Sequence, residues 1–134
     1  MKTFQLDIVT PTKVISEGQV EYLRAPSTDG LFGVEAGHAP AVIALGIGEI
    51  KVMRGTEIIY YSTSGGYADI RQEEVMILAE TIEQAKEIDV TRAEQAIQTA
   101  KDLLGKDQLD HIPVKNAMER AKNRIQVSRR TELN

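Results

Sequence analysis

Ile88-Asp89-Val90-Thr91-Arg92-Ala93 is the stretch at which this chain changes its pattern. Upstream, short runs alternate apolar and polar residues with period two, separated by Gly and Pro. Downstream, Ala-rich charged text repeats with period 3.6 nearly to the last residue. A switch of period at one point in a short chain marks the join of a β part to an α part. The same stretch opens a helix. Asp89 is suited to N-cap it with its carboxylate, while Thr91 with Glu94 three later makes a competing capping box that shifts the start by two residues.

Working outward from the join, the helical text divides in two. The first helix is expected over Val90 to Leu104, with an apolar stripe of Ala93, Ala96, Ile97, Ala100, Leu103 and Leu104 and Gly105 as its C′ residue. Lys106 to Asp110 reads as a loop. A second helix over Pro113 to Arg129 places Pro113 in its first turn and carries the narrow stripe Val114, Ala117, Met118, Ala121 and Ile125. Two helices joined by a short loop form an antiparallel hairpin. Its small stripes bury little area, on the order of a few kcal/mol before entropy, so the hairpin is expected to be weakly held and able to move.

Upstream, Phe4, Leu6 and Ile8 alternate with Gln5 and Asp7, and Thr10-Pro11-Thr12 ends that strand. Val14-Ile15 starts a second strand that turns at Glu17-Gly18. Val20, Tyr22 and Arg24 then alternate against Glu21 and Leu23. Pro26 to Gly30 is a loop by composition, Leu31 to Val34 is short and apolar, and Glu35-Ala36-Gly37-His38 turns again. Ala39 to Leu45 is an apolar run too short for a stable helix. Glu49 to Arg54 alternates, and Gly55-Thr56 makes a hairpin turn into the β-branched and aromatic Glu57 to Thr63. Tyr67 to Arg71 and Val75 to Ala79 follow, and Thr81 to Glu87 is a polar link. About eight to ten short strands in residues 1–80 read as a sandwich or partly closed barrel. The fold class is therefore α+β: an N-terminal antiparallel β-sandwich over residues 1–86, then a C-terminal antiparallel two-helix hairpin over residues 87–134.

Composition narrows the chemistry. The 134 residues hold no Cys and two His, so disulfides and a thiolate or zinc cluster are excluded, and no metal site is expected. No apolar run reaches the ~18 residues of a membrane span, and no secretory signal is visible, so no direct membrane insertion is expected. Residues 1–86 carry 7 basic and 12 acidic side chains, a charge of −5; residues 87–109 carry −2 and residues 110–134 carry +3. A basic tail on an acidic body suits contact with an acidic surface or an anion; it is also what a solvated helix face looks like.

Three places could carry chemistry. His38 has no nucleophile or carboxylate partner at a spacing that fixes a triad, so a turn His bonded to backbone is the simpler reading, and no catalytic residue is assigned. Ser64-Gly65-Gly66 could offer backbone N–H groups to an anion, but it lacks the Lys and second Gly of a phosphate loop, and close strand packing explains it better. The third place is the hairpin. Arg120 and Arg124 share one face of the second helix. Arg92 and Arg124 lie about 16 residues either side of the loop centre, so a rise of ~1.5 Å per residue brings them to one height. Three guanidinium groups near Asp89 suit a polyphosphate, with the carboxylate accepting from an amino or hydroxyl group. The plainer alternative is an Asp89–Arg92 cap with two solvated Arg.

The chain resembles, over its whole length, the epsilon subunit of the bacterial and chloroplast F-type ATP synthase, which matches the mitochondrial delta subunit. The resemblance rests on Leu6-Asp7-Ile8-Val9-Thr10-Pro11, on Gly33-Val34-Glu35-Ala36-Gly37-His38-Ala39-Pro40, on Ser64-Gly65-Gly66-Tyr67-Ala68-Asp69-Ile70, and on Val75-Met76-Ile77-Leu78-Ala79-Glu80. It implies a non-catalytic rotor subunit coupling proton flow to ATP synthesis, peripheral on the cytoplasmic face of the energy-transducing membrane. It implies contacts with the gamma subunit, with the ring of c subunits around Leu31, Phe32 and His38, and with the alpha and beta subunits through the basic second helix; nucleic acid is not expected. It implies a hairpin that can extend and block ATP hydrolysis. No cofactor is required, but ATP is a regulatory ligand in family members with an Ile/Leu-Asp-x-x-Arg-Ala motif. Here that motif is Ile88, Asp89, Arg92 and Ala93 with their two intervening residues; the upstream acid matches Glu83, and two late arginines match Arg120 and Arg124. Weakly binding relatives share the motif, so it does not set affinity. Gly30-Leu31-Phe32-Gly33 departs from the commoner Gly-Glu-Leu-Gly, which makes the implied contact there apolar. A reading from another class is a small ATP-sensing module whose main task is ligand binding.

Overall fold

The computed structural model describes residues 2–105 and 111–131. Ten strands precede the helices: β1 (Phe4–Val9), β2 (Val14–Val20), β3 (Tyr22–Ser27), β4 (Gly30–Glu35), β5 (Ala41–Leu45), β6 (Gly48–Arg54), β7 (Glu57–Thr63), β8 (Gly66–Ile70), β9 (Glu74–Ala79) and β10 (Ile82–Gln84). One group runs β10-β7-β6-β3 with β4 on the far side of β3; the other runs β5-β8-β9-β1-β2. A single Ser27–Leu45 pair joins them. Each group buries alternate residues: Phe4, Leu6 and Ile8 from β1 meet Ile50 and Val52 from β6 and Ile70 and Ile77 from β8 and β9 in one core. The result is the α+β β-sandwich with two C-terminal helices read from the sequence. Its pairing is antiparallel except between β1 and β9, which run parallel.

Four local readings change in the strand region. Glu17-Gly18 is a β-bulge inside β2, since Leu6 faces Gly18 while Asp7 faces Ser16. Gly18, at φ +72°, absorbs the kink. Leu23 and Ala25, rather than Tyr22 and Arg24, face the core. Glu21 sits between β2 and β3, and one residue outside the ladder inverts the alternation beyond it. Pro26 and Ser27 belong to β3, not to a loop. The supposed polar link holds β10, which pairs with β7, and a 3-10 turn over Ala85–Glu87; buried Ile82 and Ala85 anchor it.

Helix α1 spans Val90–Leu104, and Asp89 is its N-cap, accepting from the Arg92 N–H at 3.0 Å. The competing start at Thr91 is not used. Gly105 is a C-cap in the right-handed region (φ −77°), not a left-handed C′ residue. Helix α2 spans His111–Ser128, two residues earlier at its start than the Pro113 signal, and a 3-10 turn follows over Arg129–Thr131. The expected loop at 106–110 lies outside the described residues. The short connection makes the packed helices antiparallel, with Ala93, Ala100 and Ala121 buried. Helix α2 also packs on β6, β7 and the Ala85–Glu87 turn. There Val127 joins Ala85 and Ile88, with Tyr60 against them, in a second small core.

Candidate functional site

Where the hairpin closes on the sandwich, a cleft of about 570 Å³ opens between them, a size typical of small-molecule sites. Its helical wall is Arg92 and Ala96 from α1 with Ala117, Arg120, Ala121 and Arg124 from α2. Its sandwich wall is Ser62, Thr63 and Ser64 at the end of β7, with Glu80, Thr81 and Glu83 from the β9–β10 segment. The sequence builds these walls locally. Small Ala side chains on the facing helix stripes let the backbones approach, and long Arg side chains at i and i+4 then reach out over the rim.

The polar groups are arranged for an anion. Arg124 holds Glu83 bidentately, Nε at 2.5 Å and Nη2 at 3.0 Å from the two carboxylate oxygens. Both side chains are less than a third exposed. Among the described residues, no carboxylate lies within ion-pair distance of Arg92 or Arg120. The lining thus carries three guanidinium groups against the carboxylates of Glu80 and Glu83, an excess that favours a negative ligand. Opposite them, Thr81 donates to Ser64 at 2.7 Å, and the hydroxyls of this wall can turn toward a ligand.

Glu83, Arg92, Arg120 and Arg124 therefore line one cleft: helix spacing places the three arginines together, and the family resemblance singles out Glu83. Ile88, Asp89 and Ala93 are not in the lining. Ile88 is buried in the second core and Ala93 is fully buried under the hairpin, while Asp89 spends its carboxylate on the helix cap. Asp89 bonds the Arg92 N–H, and none of the three lines the cleft. The carboxylate paired with Arg124 is Glu83. Elsewhere, His38 Nδ1 donates to the Ala39 carbonyl, 2.7 Å away, the backbone-bonded arrangement of a turn His. Leu31 is 67% exposed on β4, whereas Phe32 packs partly into the core. Gly66 sits at φ +137°, and a Cβ there would lie 2.0 Å from the Leu78 carbonyl oxygen, so close strand packing accounts for Ser64-Gly65-Gly66. Among the described residues no group of three or more His, Asp or Glu is placed to hold a metal, and no described helix is long and apolar enough to cross a membrane.

Sequence reasoning missed the hydroxyl wall and the docking face of α2. Asn123 donates to the Gly48 carbonyl at 2.8 Å and to Ser62 Oγ at 3.1 Å. Arg130 grips Glu49 bidentately at 2.8 and 3.1 Å and lies 5.1 Å from the Tyr60 ring centre. The hydrogen bond to Glu49 is the main reason the Arg130 guanidinium holds its proton more tightly than usual. The available signal was the spacing of Asn123 and Val127 on α2 with Arg130 just beyond it, hidden because only Val127 is apolar.

This geometry defines a class: a ten-stranded sandwich carrying a docked helical hairpin, with a basic cleft at the seam. Two family models divide the chain at nearly that seam. "ATP synthase, Delta/Epsilon chain, beta-sandwich domain" matches residues 3–85, and "ATP synthase, Delta/Epsilon chain, long alpha-helix domain" matches residues 86–129. The chain is 43% identical over 132 residues to the ATP synthase epsilon chain of Staphylococcus haemolyticus, covering 96% of this chain and 98% of that one. It is 36% identical over 129 residues to that of Desulforamulus reducens, covering 95% and 98%. Its fold is like a chain in the cryo-EM structure of the Euglena gracilis mitochondrial ATP synthase OSCP/F1/c-ring, at TM-score 0.80 and 23% identity over 98% of this chain and 82% of that one. A Tetrahymena thermophila central stalk/c-ring chain is similar at TM-score 0.64 and 15% identity, over 97% and 96%. The chain belongs to the delta/epsilon chain family of the F-type ATP synthase.

Proposed function

We propose that this chain is a non-catalytic central-stalk subunit of the F-type ATP synthase. In that role it helps couple proton flow to ATP synthesis, and its hairpin restrains ATP hydrolysis. The observation that carries the reading is the cleft itself. It exists only while the hairpin lies on the sandwich, because Arg92, Arg120 and Arg124 come from the helices and Glu83 from the sandwich side. A polyphosphate such as ATP would bind the closed form and not the extended one, so it would stabilise the closed, non-inhibitory state by its differential affinity alone. Released, the hairpin would carry the +3 charge of residues 110–134 toward acidic surfaces of the alpha and beta subunits.

An exposed apolar band on the sandwich supports contact with rotor partners. Ala44, Tyr67, Leu78, Val9 and Val14 lie side by side in register across β5, β8, β9, β1 and β2. Tyr67, Leu78 and Val14 are well exposed, and neighbouring Val42 and Met76 widen the row. An apolar band of this kind suits a permanent protein contact, here the gamma subunit, while exposed Leu31 suits the c ring. The test is removal of residues 88–134 in the assembled enzyme. ATP synthesis should persist and ATP hydrolysis should rise; unchanged hydrolysis would remove the inhibitory role.

A further inference from the structure

Helix α2 meets the sandwich along two adjacent stripes. Arg120 and Arg124 form the cleft stripe. Asn123 and Val127, four residues apart on α2, and Arg130 in the 3-10 turn that follows it form a second stripe that does not enter the cleft. Each member of the second stripe has a distinct partner on the sandwich side. Asn123 bonds the Gly48 carbonyl and the Ser62 hydroxyl. Val127 is 1% exposed against Ala85, Ile88 and Tyr60. Arg130 takes Glu49, which is 16% exposed and also paired with Arg24. None of these contacts needs a ligand.

We infer that Asn123, Val127 and Arg130 form a ligand-independent clamp that holds the hairpin closed and positions Arg120 and Arg124 over the cleft. The physical reason lies in how little the cleft itself contributes without an anion. Across it, the only ion pair among the described residues is Arg124 with Glu83, a partly exposed pair worth about 1 kcal/mol or less. Closure without ligand therefore needs attraction elsewhere, and the second stripe supplies it through burial, two neutral hydrogen bonds and a bidentate ion pair. Asn123 is the positioning residue, because its Ser62 partner is itself part of the cleft wall. It ties the helix register to the wall that the arginines face.

The inference rests on the cleft reading only for the role of Arg120 and Arg124, and closure can be read without any nucleotide. The chain has no Cys, so Thr56→Cys in the β6–β7 turn and Thr99→Cys on the exposed side of α1 give two unique spin-label sites on the full chain. The labelled chain without nucleotide should show one narrow distance population. Adding Asn123→Ala and Arg130→Ala should raise the ratio of open to closed hairpin roughly tenfold or more. Molar salt should open the parent and leave the Arg130→Ala chain less affected. Arg130→Lys should recover part of the closed population, which loss of folding would not do. A distance distribution unchanged in the double variant overturns the clamp, as does a parent already open without nucleotide. ATP added to the double variant should close it again. If the clamp variants open but ATP does nothing, the clamp stands and the nucleotide reading of the cleft falls.

Discussion

Replacing Arg124 by Ala removes the guanidinium that both grips Glu83 and faces the cleft. The lining then holds Arg92 and Arg120 against Glu80 and Glu83, so its formal charge falls from +1 to 0. A charge-assisted contact between a guanidinium and a phosphate contributes about 1.5–3 kcal/mol, or roughly 10- to 150-fold in Kd. Arg124 is already satisfied by Glu83 before a ligand arrives, and the ligand must share or replace that pair. The net loss therefore belongs near the lower end, about tenfold. Loss of the partly exposed pair itself should cost about 1 kcal/mol or less of stability, because Glu83 stays within reach of water. Calorimetric titration of the full chain with ATP, beside Arg124→Ala and Arg124→Lys, reads the effect. Lys keeps the charge but presents no fork, so it should fall between the two. Affinity of Arg124→Ala within about twofold of the parent refutes the role of Arg124, and no heat from the parent up to millimolar ATP refutes the nucleotide site altogether.

Other substitutions test the frame around the site. Gly66→Ala would drive a Cβ to 2.0 Å from the Leu78 oxygen at a φ of +137°; the clash and strain should cost about 3 kcal/mol or more and lower the melting temperature by roughly 10 °C. Val127→Ala removes two buried methyl groups at about 0.8 kcal/mol each, so amide exchange should quicken by about tenfold in α2 while the β1, β8 and β9 core keeps its protection. Burial first, and then the hydrogen bond that Tyr61 donates to Glu17, raises the Tyr61 phenol above its ordinary value. A folded-state pKa above the unfolded one contributes stability that is complete below the unfolded value of about 10 and declines as pH rises beyond it. Urea unfolding between about pH 9 and 11 should show a decline in the parent that is smaller in Tyr61→Phe.

The bulged strand shows how the sandwich satisfies a buried carboxyl group inside its wall. Glu17 is 8% exposed, yet it accepts from the Tyr61 hydroxyl and from Arg54 Nη1 at 3.2 Å, and its carbonyl also accepts from Arg54. The extra residue in β2 turns this carboxylate toward β6 and β7 instead of solvent. A buried carboxylate is tolerated only with such partners. Nothing in the text of Ser16-Glu17-Gly18-Gln19 distinguishes this from a turn, because Gly with an acidic neighbour suits both. The inverted alternation at Glu21 was hidden for the same reason: a single residue outside the ladder has no compositional mark.

The sequence by itself determined the elements whose causes are local. Period two and period 3.6 separate at Ile88 to Ala93 because strand and helix side chains repeat at those intervals. Asp89 caps α1 because its carboxylate meets an N–H three residues on, and Arg92 and Arg124 reach one height because helix rise is constant. Only the tertiary structure decided that Arg124 is the arginine that pairs with Glu83. The pairing of β10 with β7 delivers Glu83 to Arg124, while Asp89 Oδ1 accepts in the helix cap. It also decided that α2 is the docked helix, through Asn123, Val127 and Arg130, whose partners at Gly48, Glu49, Ser62 and Ile88 lie far away along the chain. Long-range pairing of this kind depends on where the closed sandwich edge stands, and no local pattern encodes it.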